Sequence, residues 1–184
     1  MNRWSIRPYL QPQPRGVALV IVLIMLGVIG LTTAVAIRSA VISQKVSASL
    51  RFDASAQQSA ELALRFCEAE IEKDLVQRLA DLAQVDSLPA MPASRLRWPE
   101  AAWWRTPQPA IGQAALHTLP AGLGAVGGAP QPECLVERLQ LPDSFDKAFV
   151  VTARGFSPGY TRDPMTGQTL SGSVVWLQST LYYN

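Results

Sequence analysis

The sequence predicts an α+β protein, with one long N-terminal helix packed on a small C-terminal antiparallel β-sheet. Three observations carry this. Val17 to Ile37 is an apolar run of twenty-one residues without a charge. No Pro or Gly stands between Leu31 and Pro89, so nothing breaks a helix over that span. Residues 133–184 then hold three runs rich in β-branched and aromatic residues, each bounded by Pro, Gly or Asp.

Residues 1–16 read as a short basic leader. Arg3, Arg7 and Arg15 precede Gly16 with no acidic residue among them. The whole chain carries sixteen basic and fourteen acidic residues, and thirteen basic ones remain beyond the leader. The pI near 8.7 therefore belongs largely to the leader. A nucleic-acid surface loses its main support, and no later cluster of Lys and Arg among aromatics restores it. Helical at about 1.5 Å per residue, residues 17–37 span roughly 30 Å, the thickness of a hydrocarbon core. Gly27 and Gly30 are tolerated in such a helix, and the leader arginines keep its N-terminus cytoplasmic and send the rest outward. Three fates compete for this run. It is cut off as a signal at Ala34-Val35-Ala36, kept whole as an anchor, or preceded by a cut after Gly16 that leaves Val17 first.

Residues 38–83 continue the helix as an amphipathic half. Ala60, Leu64, Cys67, Ile71, Leu75, Leu79 and Leu82 recur at three- and four-residue steps as one apolar stripe. Glu61, Arg65, Glu68, Glu72 and Lys73 line the other faces. The simplest structure is a single helix of roughly 65 residues and about 100 Å, half in the bilayer and half on a domain. A cut after Ala36 would make that continuity accidental.

Residues 84–132 form a Pro/Gly-rich variable loop with more than half of the fourteen prolines, the run GLGAVGGAP, and Trp98, Trp103 and Trp104. It is far longer than ordinary connections. PEAAWW, at 99–104, suits one helical turn opened by Pro99. The tryptophans either present a partner surface, where Trp is frequent, or cover the sheet. Strands follow at Glu133–Gln140, Ala148–Phe156 and Ser173–Tyr182, with RDPMTG as a turn between the last two. Short connections suggest a meander whose apolar face packs on the helix stripe.

Cys67 and Cys134 then lie on facing elements. In an oxidising compartment they form one disulfide; the alternative is two reduced, buried thiols. If bridged, they close a loop worth roughly 4 kcal/mol of chain entropy. Two cysteines and one histidine, His117, are too few for a zinc cage. No P-loop or paired metal ligands appear, and Asp163 with Gly167 falls short of a calcium loop. No cofactor is expected.

Two motifs match in letters and fail in context. Gly155-Phe-Ser157-Pro-Gly159 follows a strand like a nucleophile elbow, but Pro158 has no N–H for an oxyanion hole. Gly122-x-Gly124-x-x-Gly127 lacks a preceding strand, and Gly128-Ala-Pro130 prevents the helix that would hold a pyrophosphate. Catalytic residues are not expected, and the chain reads as a non-enzyme.

Set beside known families, the basic leader ending in Arg15-Gly16 before a long apolar helix resembles the processing site of type IV prepilins. There a membrane peptidase cuts after the glycine and methylates the new N-terminus, which implies Val17 here. The following segment is similar to PilX-type minor pilins, whose pattern runs MRS, a variable ten, then LRD and AFQAAEAALR. This chain has Ile37-Arg38-Ser39, Leu50-Arg51, Ala56, Gln58, Ala60-Glu61 and Ala63-Leu64-Arg65 in the same register. It departs at Ser43-Gln44, where acids are usual, and at Gln57, where Phe is usual. VTARGF and VVWLQST resemble the C-terminal strands of the same family. Major pilins carry a Glu at the fifth position after the cut, where this chain has Ile21. Members lacking it resemble tip subunits with no subunit above them.

The resemblance implies a type IV pilin-like fold and a structural subunit of the bacterial inner membrane. Its N-terminus would be cytoplasmic and its C-terminal domain periplasmic, and it would later sit in a surface pilus. The implied partners are prepilin peptidase, other minor pilins and the major pilin through the N-terminal helix, and a large tip adhesin. The alternatives are a type II secretion pseudopilin and a periplasmic protein released after Ala36.

Overall fold

The structure is a computed structural model, and it describes residues 17–105, 108–109, 112–141, 147–164 and 166–183. One long helix, α1 (Val17–Glu72), precedes a mixed region of 3-10 turns and six strands. The strands are β1 (Ala115–Thr118), β2 (Glu133–Leu139), β3 (Lys147–Phe156), β4 (Thr161–Arg162), β5 (Thr169–Ser171) and β6 (Val174–Tyr183). The chain divides into two compact units, one ending at Ser47 and the other starting at Ala48.

In the first unit, residues 17–47 are helical and exposed throughout. The stretch is long and apolar enough to cross a membrane, with a mean hydropathy of 2.8 and none of that window buried. Its two threonine hydroxyls are satisfied within the helix: Thr32 Oγ1 donates to Val28 and Ile29 carbonyls at 3.1 and 2.9 Å, and Thr33 Oγ1 to Ile29 at 2.7 Å. Hydrocarbon offers no other partner to a polar group, so this back-bonding suits a lipid-exposed segment.

In the second unit the rest of α1 packs on an antiparallel sheet of order β1-β2-β3-β6. β2, β3 and β6 form the expected meander, with Cys134 opposite Ala153 and Ala153 opposite Leu177. Ala63, Cys67 and Ile71 of α1 meet Cys134, Val136, Phe149, Val151 and Ala153 in one core. Leu82, Val85 and Leu88, from the segment after the helix, complete it. β4 and β5 pair as a small separate hairpin. Its turn is closed by Asp163, whose Oδ1 accepts the Thr166 N–H and whose carbonyl accepts the Gly167 N–H, both at 2.9 Å.

The helix ends earlier than the sequence suggested, at Glu72 rather than near residue 83, and without Pro or Gly. Side chains end it. Arg78 turns back to donate to the Ile71 carbonyl at 2.6 Å and the Lys73 carbonyl at 2.8 Å, taking over acceptors that the next helical turn would have used. Glu70 accepts from Lys73 and from the Leu79 N–H. The turn leaves Leu75 and Leu79 exposed, so the expected apolar stripe stops at Ile71, while Leu82 reaches the core by another route.

Residues 84–132 also depart from expectation, because they are not simply a loop. They contain β1, which pairs with the first half of β2, and Met91, which bridges to Leu139 at its far end. A 3-10 turn at Ala101–Trp104 takes the place of the expected helical turn. The physical reason lies in β2 and β3, whose residues are buried almost without alternation. A sheet buried on both faces needs a second cover, and this segment supplies it.

Helix and sheet approach most closely at Gly155. A methyl there would overlap the Ala56 carbonyl and the Ala60 nitrogen and lie 2.8 Å from Ala60 Cα. Backbone cannot yield as a side-chain tip can. Gly155→Ala is therefore expected to destabilise the second unit by about 3 kcal/mol, measured by chemical denaturation; a change below about 0.5 kcal/mol would contradict the close contact.

Asp86 ties the helix end to the sheet by accepting from Arg78 and, at 3.1 Å, from Lys147. Burial raises its carboxyl, but hydrogen bonds and charge from Lys147 and Arg78 outweigh this and hold it below its ordinary value of 3.8. A depressed native pKa gives stability that is present above the unfolded value and lost as pH falls through the native one. Asp86→Asn should cost on the order of 1–3 kcal/mol at neutral pH. That difference should shrink below about pH 4, as read by denaturation at several pH values.

Candidate functional site

The sequence singled out a processing position, one substituted position in the helix, a cysteine pair and three tryptophans. Gly16, with the rest of residues 1–16, lies outside the described residues. Val17 opens α1 and is exposed, and Ile21, about one turn on, is exposed too. The first turn of the helix holds no acidic residue.

Cys67 and Cys134 are joined as a disulfide, with their Cα atoms 6.6 Å apart and a sequence separation of 67. Both are fully buried. Cys67 faces the sheet because it lies four residues after Ala63 on the inward stripe, and Cys134 faces the helix through the pleat of β2. The bond crosses the layer boundary at the centre of the core.

The tryptophans do not form an exposed partner surface. Trp103 and Trp104 are buried, at 3% and 1% exposure, and Trp98 is half-buried. They lie on the face of the sheet away from α1, with Ala114, Leu116 and Leu135. Trp104 meets Trp176 of β6 edge-on at 4.8 Å, and its Nε1 donates to the Trp98 carbonyl at 2.8 Å. Trp103 Nε1 donates to Glu100 at 3.1 Å. The Trp103 and Trp104 indoles have thus found both apolar cover and a partner for the N–H, which leaves little for another protein to bury. Of this group only Trp176, at 41%, is substantially exposed.

Sequence reasoning missed the charged residues that organise this face. Arg154 of β3 is 5% exposed and lies 4.5 Å from the Trp104 ring centre, with Phe156 at 5.3 Å and Trp176 at 5.5 Å. Its Nε donates to Glu133 at 2.7 Å, and its Nη2 to the Trp104 carbonyl at 3.1 Å. Burial lowers its pKa, and Glu133 pulls it back up. Glu137 of β2 is 1% exposed and accepts the backbone N–H groups of Arg97 and of Trp98, the latter at 3.0 Å. A signal for these residues was present: Arg154 and Glu133 sit in runs with no apolar–polar alternation, where a charge must be paired to be buried.

Both motif matches are accounted for by turns. Ser157 is fully buried, accepting the Ser173 N–H at 2.8 Å and donating to the Pro158 carbonyl at 3.3 Å, so its hydroxyl closes a turn. His117 lies on β1, stacked on Phe66 at 5.6 Å with Nδ1 3.3 Å from Asp81, well apart from Ser157 in the fold. Gly122, Gly124 and Gly127 have positive φ in the 84–132 segment, outside any strand or helix. A cleft of about 420 Å³ at the end of α1 is lined by three bases, Lys73, Arg78 and Lys147, and three acids, Glu72, Asp74 and Asp86, so its formal charges cancel. Among the described residues no group of three or more His, Cys, Asp or Glu could hold a metal.

The chain matches no protein-family model, no curated protein sequence and no solved structure.

Burial pushes the Glu137 carboxyl above its ordinary value of 4.5, against the two backbone N–H groups that pull it down. A raised native pKa gives stability that is full below the unfolded value and lost as pH rises through the native one. Glu137→Gln cannot titrate. Wild-type stability relative to this variant should therefore be greatest near pH 4 and decline toward pH 7 in denaturant titrations; a wild-type advantage that grew with pH would overturn the assignment.

Proposed function

We propose that this chain is a PilX-like minor pilin, a structural subunit of a bacterial type IV pilus rather than an enzyme. In this reading it is inserted in the inner membrane with its N-terminus cytoplasmic and its C-terminal domain outward. It is cut after Gly16 by prepilin peptidase and methylated at Val17. Other minor pilins and the major pilin pack against residues 17–37, and with them and a large tip adhesin the subunit initiates assembly or forms the fibre tip.

The observation that carries the reading is the continuity of α1. One unbroken helix is apolar and uncovered from Val17 to Ile37, and its later turns bury a stripe of small residues against a sheet. A secretory signal has no reason to continue in frame into a packed helix, and a simple anchor has no reason to present such a helix as half of a folded core. A subunit that must stand in a bilayer and then in a helical fibre has both reasons. Ile21 supports a tip position: a carboxylate in hydrocarbon is costly unless a neighbour pairs with it, and a subunit with nothing above it gains from lacking one.

The test is the N-terminal sequence and intact mass of the protein recovered from membranes and from sheared surface material. A start at methylated Val17, dependent on prepilin peptidase, is expected. A start at Ile37 in a released protein would replace this reading with that of a periplasmic protein, and an intact Met1 in both fractions would leave a plain anchor.

A further inference from the structure

Charge along the first unit of α1 is one-sided. From Val17 to Phe52 there is no Asp or Glu, and the first charged residues after the apolar run are Arg38 and Lys45. Both are exposed, and neither has a hydrogen bond or ion pair with a described residue. They are seven residues apart, which on a helix of 3.6 residues per turn leaves them within about 20° of one another, on one face.

That face is also apolar. Val41 and Ile42 flank the line joining the two cations and are 44% and 55% exposed. Ser39, Ala40, Ser43, Gln44 and Ser47 occupy the other side. Cations and apolar side chains together on one face, with small polar ones opposite, is not the pattern of a helix lying on a folded core. It suits an interface in which stems meet acyl chains and heads meet phosphates.

Distance along the helix fits as well. If residues 17–37 fill the roughly 30 Å hydrocarbon layer, Arg38 enters the headgroup layer at once. Lys45 lies about 10 Å further on. The Arg38 guanidinium snorkels outward from the hydrocarbon edge while the Lys45 side chain leans back toward the N-terminus, so the two heads converge on the same layer. We infer that Arg38 and Lys45 form a binding site for the headgroup of an anionic phospholipid, at the membrane surface where α1 leaves the bilayer. The site steadies the subunit in the membrane before it is drawn into any assembly. The inference rests on α1 crossing a membrane and adds the lipid class that its exit point selects.

The test uses the full chain reconstituted in phosphatidylcholine vesicles containing trace spin-labelled phosphatidylglycerol or spin-labelled phosphatidylcholine. The motionally restricted fraction of each label gives its relative association with the protein. Each cation near the surface should favour the anionic label by about fivefold. Arg38→Gln with Lys45→Gln should lower phosphatidylglycerol selectivity by at least tenfold, leaving only what the leader arginines contribute. Arg38→Lys should keep it, and high salt should weaken it. A double variant that inserts normally and keeps wild-type selectivity would overturn the lipid site, as would a loss seen only with a neighbouring subunit's acidic helix present. Failure of the wild type to insert in any vesicle would overturn the membrane-spanning reading and this inference with it.

Discussion

The second unit depends on how closely the backbone of α1 can approach β3. Ala56, Ala60 and Ala63 present almost no side chain to the sheet, and Gly155 presents none in return. Helix and strand therefore meet backbone to backbone at one end of their contact, and larger groups such as Ile71 and Phe149 fill the space as they diverge. Glycine inside a strand ordinarily weakens it; here it permits the contact that sets the height of the second unit's part of α1 above the sheet. The Cys67–Cys134 bond lies between the tight end and the wide end, and it holds that height covalently.

The opposite face of the sheet obeys a different constraint. Its cover is an irregular segment rich in proline, without a helix or strand long enough to satisfy its own backbone. Buried charges do that work. Glu137 accepts two successive N–H groups at Arg97 and Trp98, and Arg154 donates to the Trp104 carbonyl while Glu133 balances its charge. Removing a charge from water is costly, and the cost is tolerable only when geometry supplies several partners at once. The edge-on and tilted indoles shield these groups further and so strengthen each interaction. The tryptophan layer and the charges beneath it are one arrangement, joined where Arg154 meets the Trp104 ring and carbonyl and Glu137 the Trp98 N–H.

The two parts of α1 answer to different surroundings. From Val17 to Ile37 the helix satisfies its threonine hydroxyls internally, shows apolar side chains on every face and carries no acid. In the second it carries Asp53, Glu61, Glu68, Glu70 and Glu72 and buries only a stripe. Such a division of charge within a single helix is what a chain needs if it is to leave a bilayer at a defined point. Arg38 and Lys45 have no hydrogen-bond or ion-pair partner among the described residues, and in the proposal above lipid headgroups supply their counter-charges.

Much of this was determined locally and so could be read from residue order. The apolar run and its length follow from composition, and its unbroken continuation from the absence of Pro and Gly after Gly30. The three strands of the meander fall within one residue of their expected limits at Glu133–Leu139, Lys147–Phe156 and Val174–Tyr183, because β-branched runs between turn residues have few other options. The inward stripe was correct as far as Ile71. What local sequence could not decide was whatever depended on a distant partner. The helix stops at Glu72 because Arg78, held by Asp86, captures its last carbonyls, and no residue at the stop itself signals it. The tryptophans turned inward because β2 and β3 had a second face to cover, and Arg154 and Glu137 could be buried only once the irregular segment brought backbone groups to them. Periodicity and punctuation act over a few residues. Buried charges here meet their partners 21 to 50 residues away, and only the folded chain brings those groups within reach.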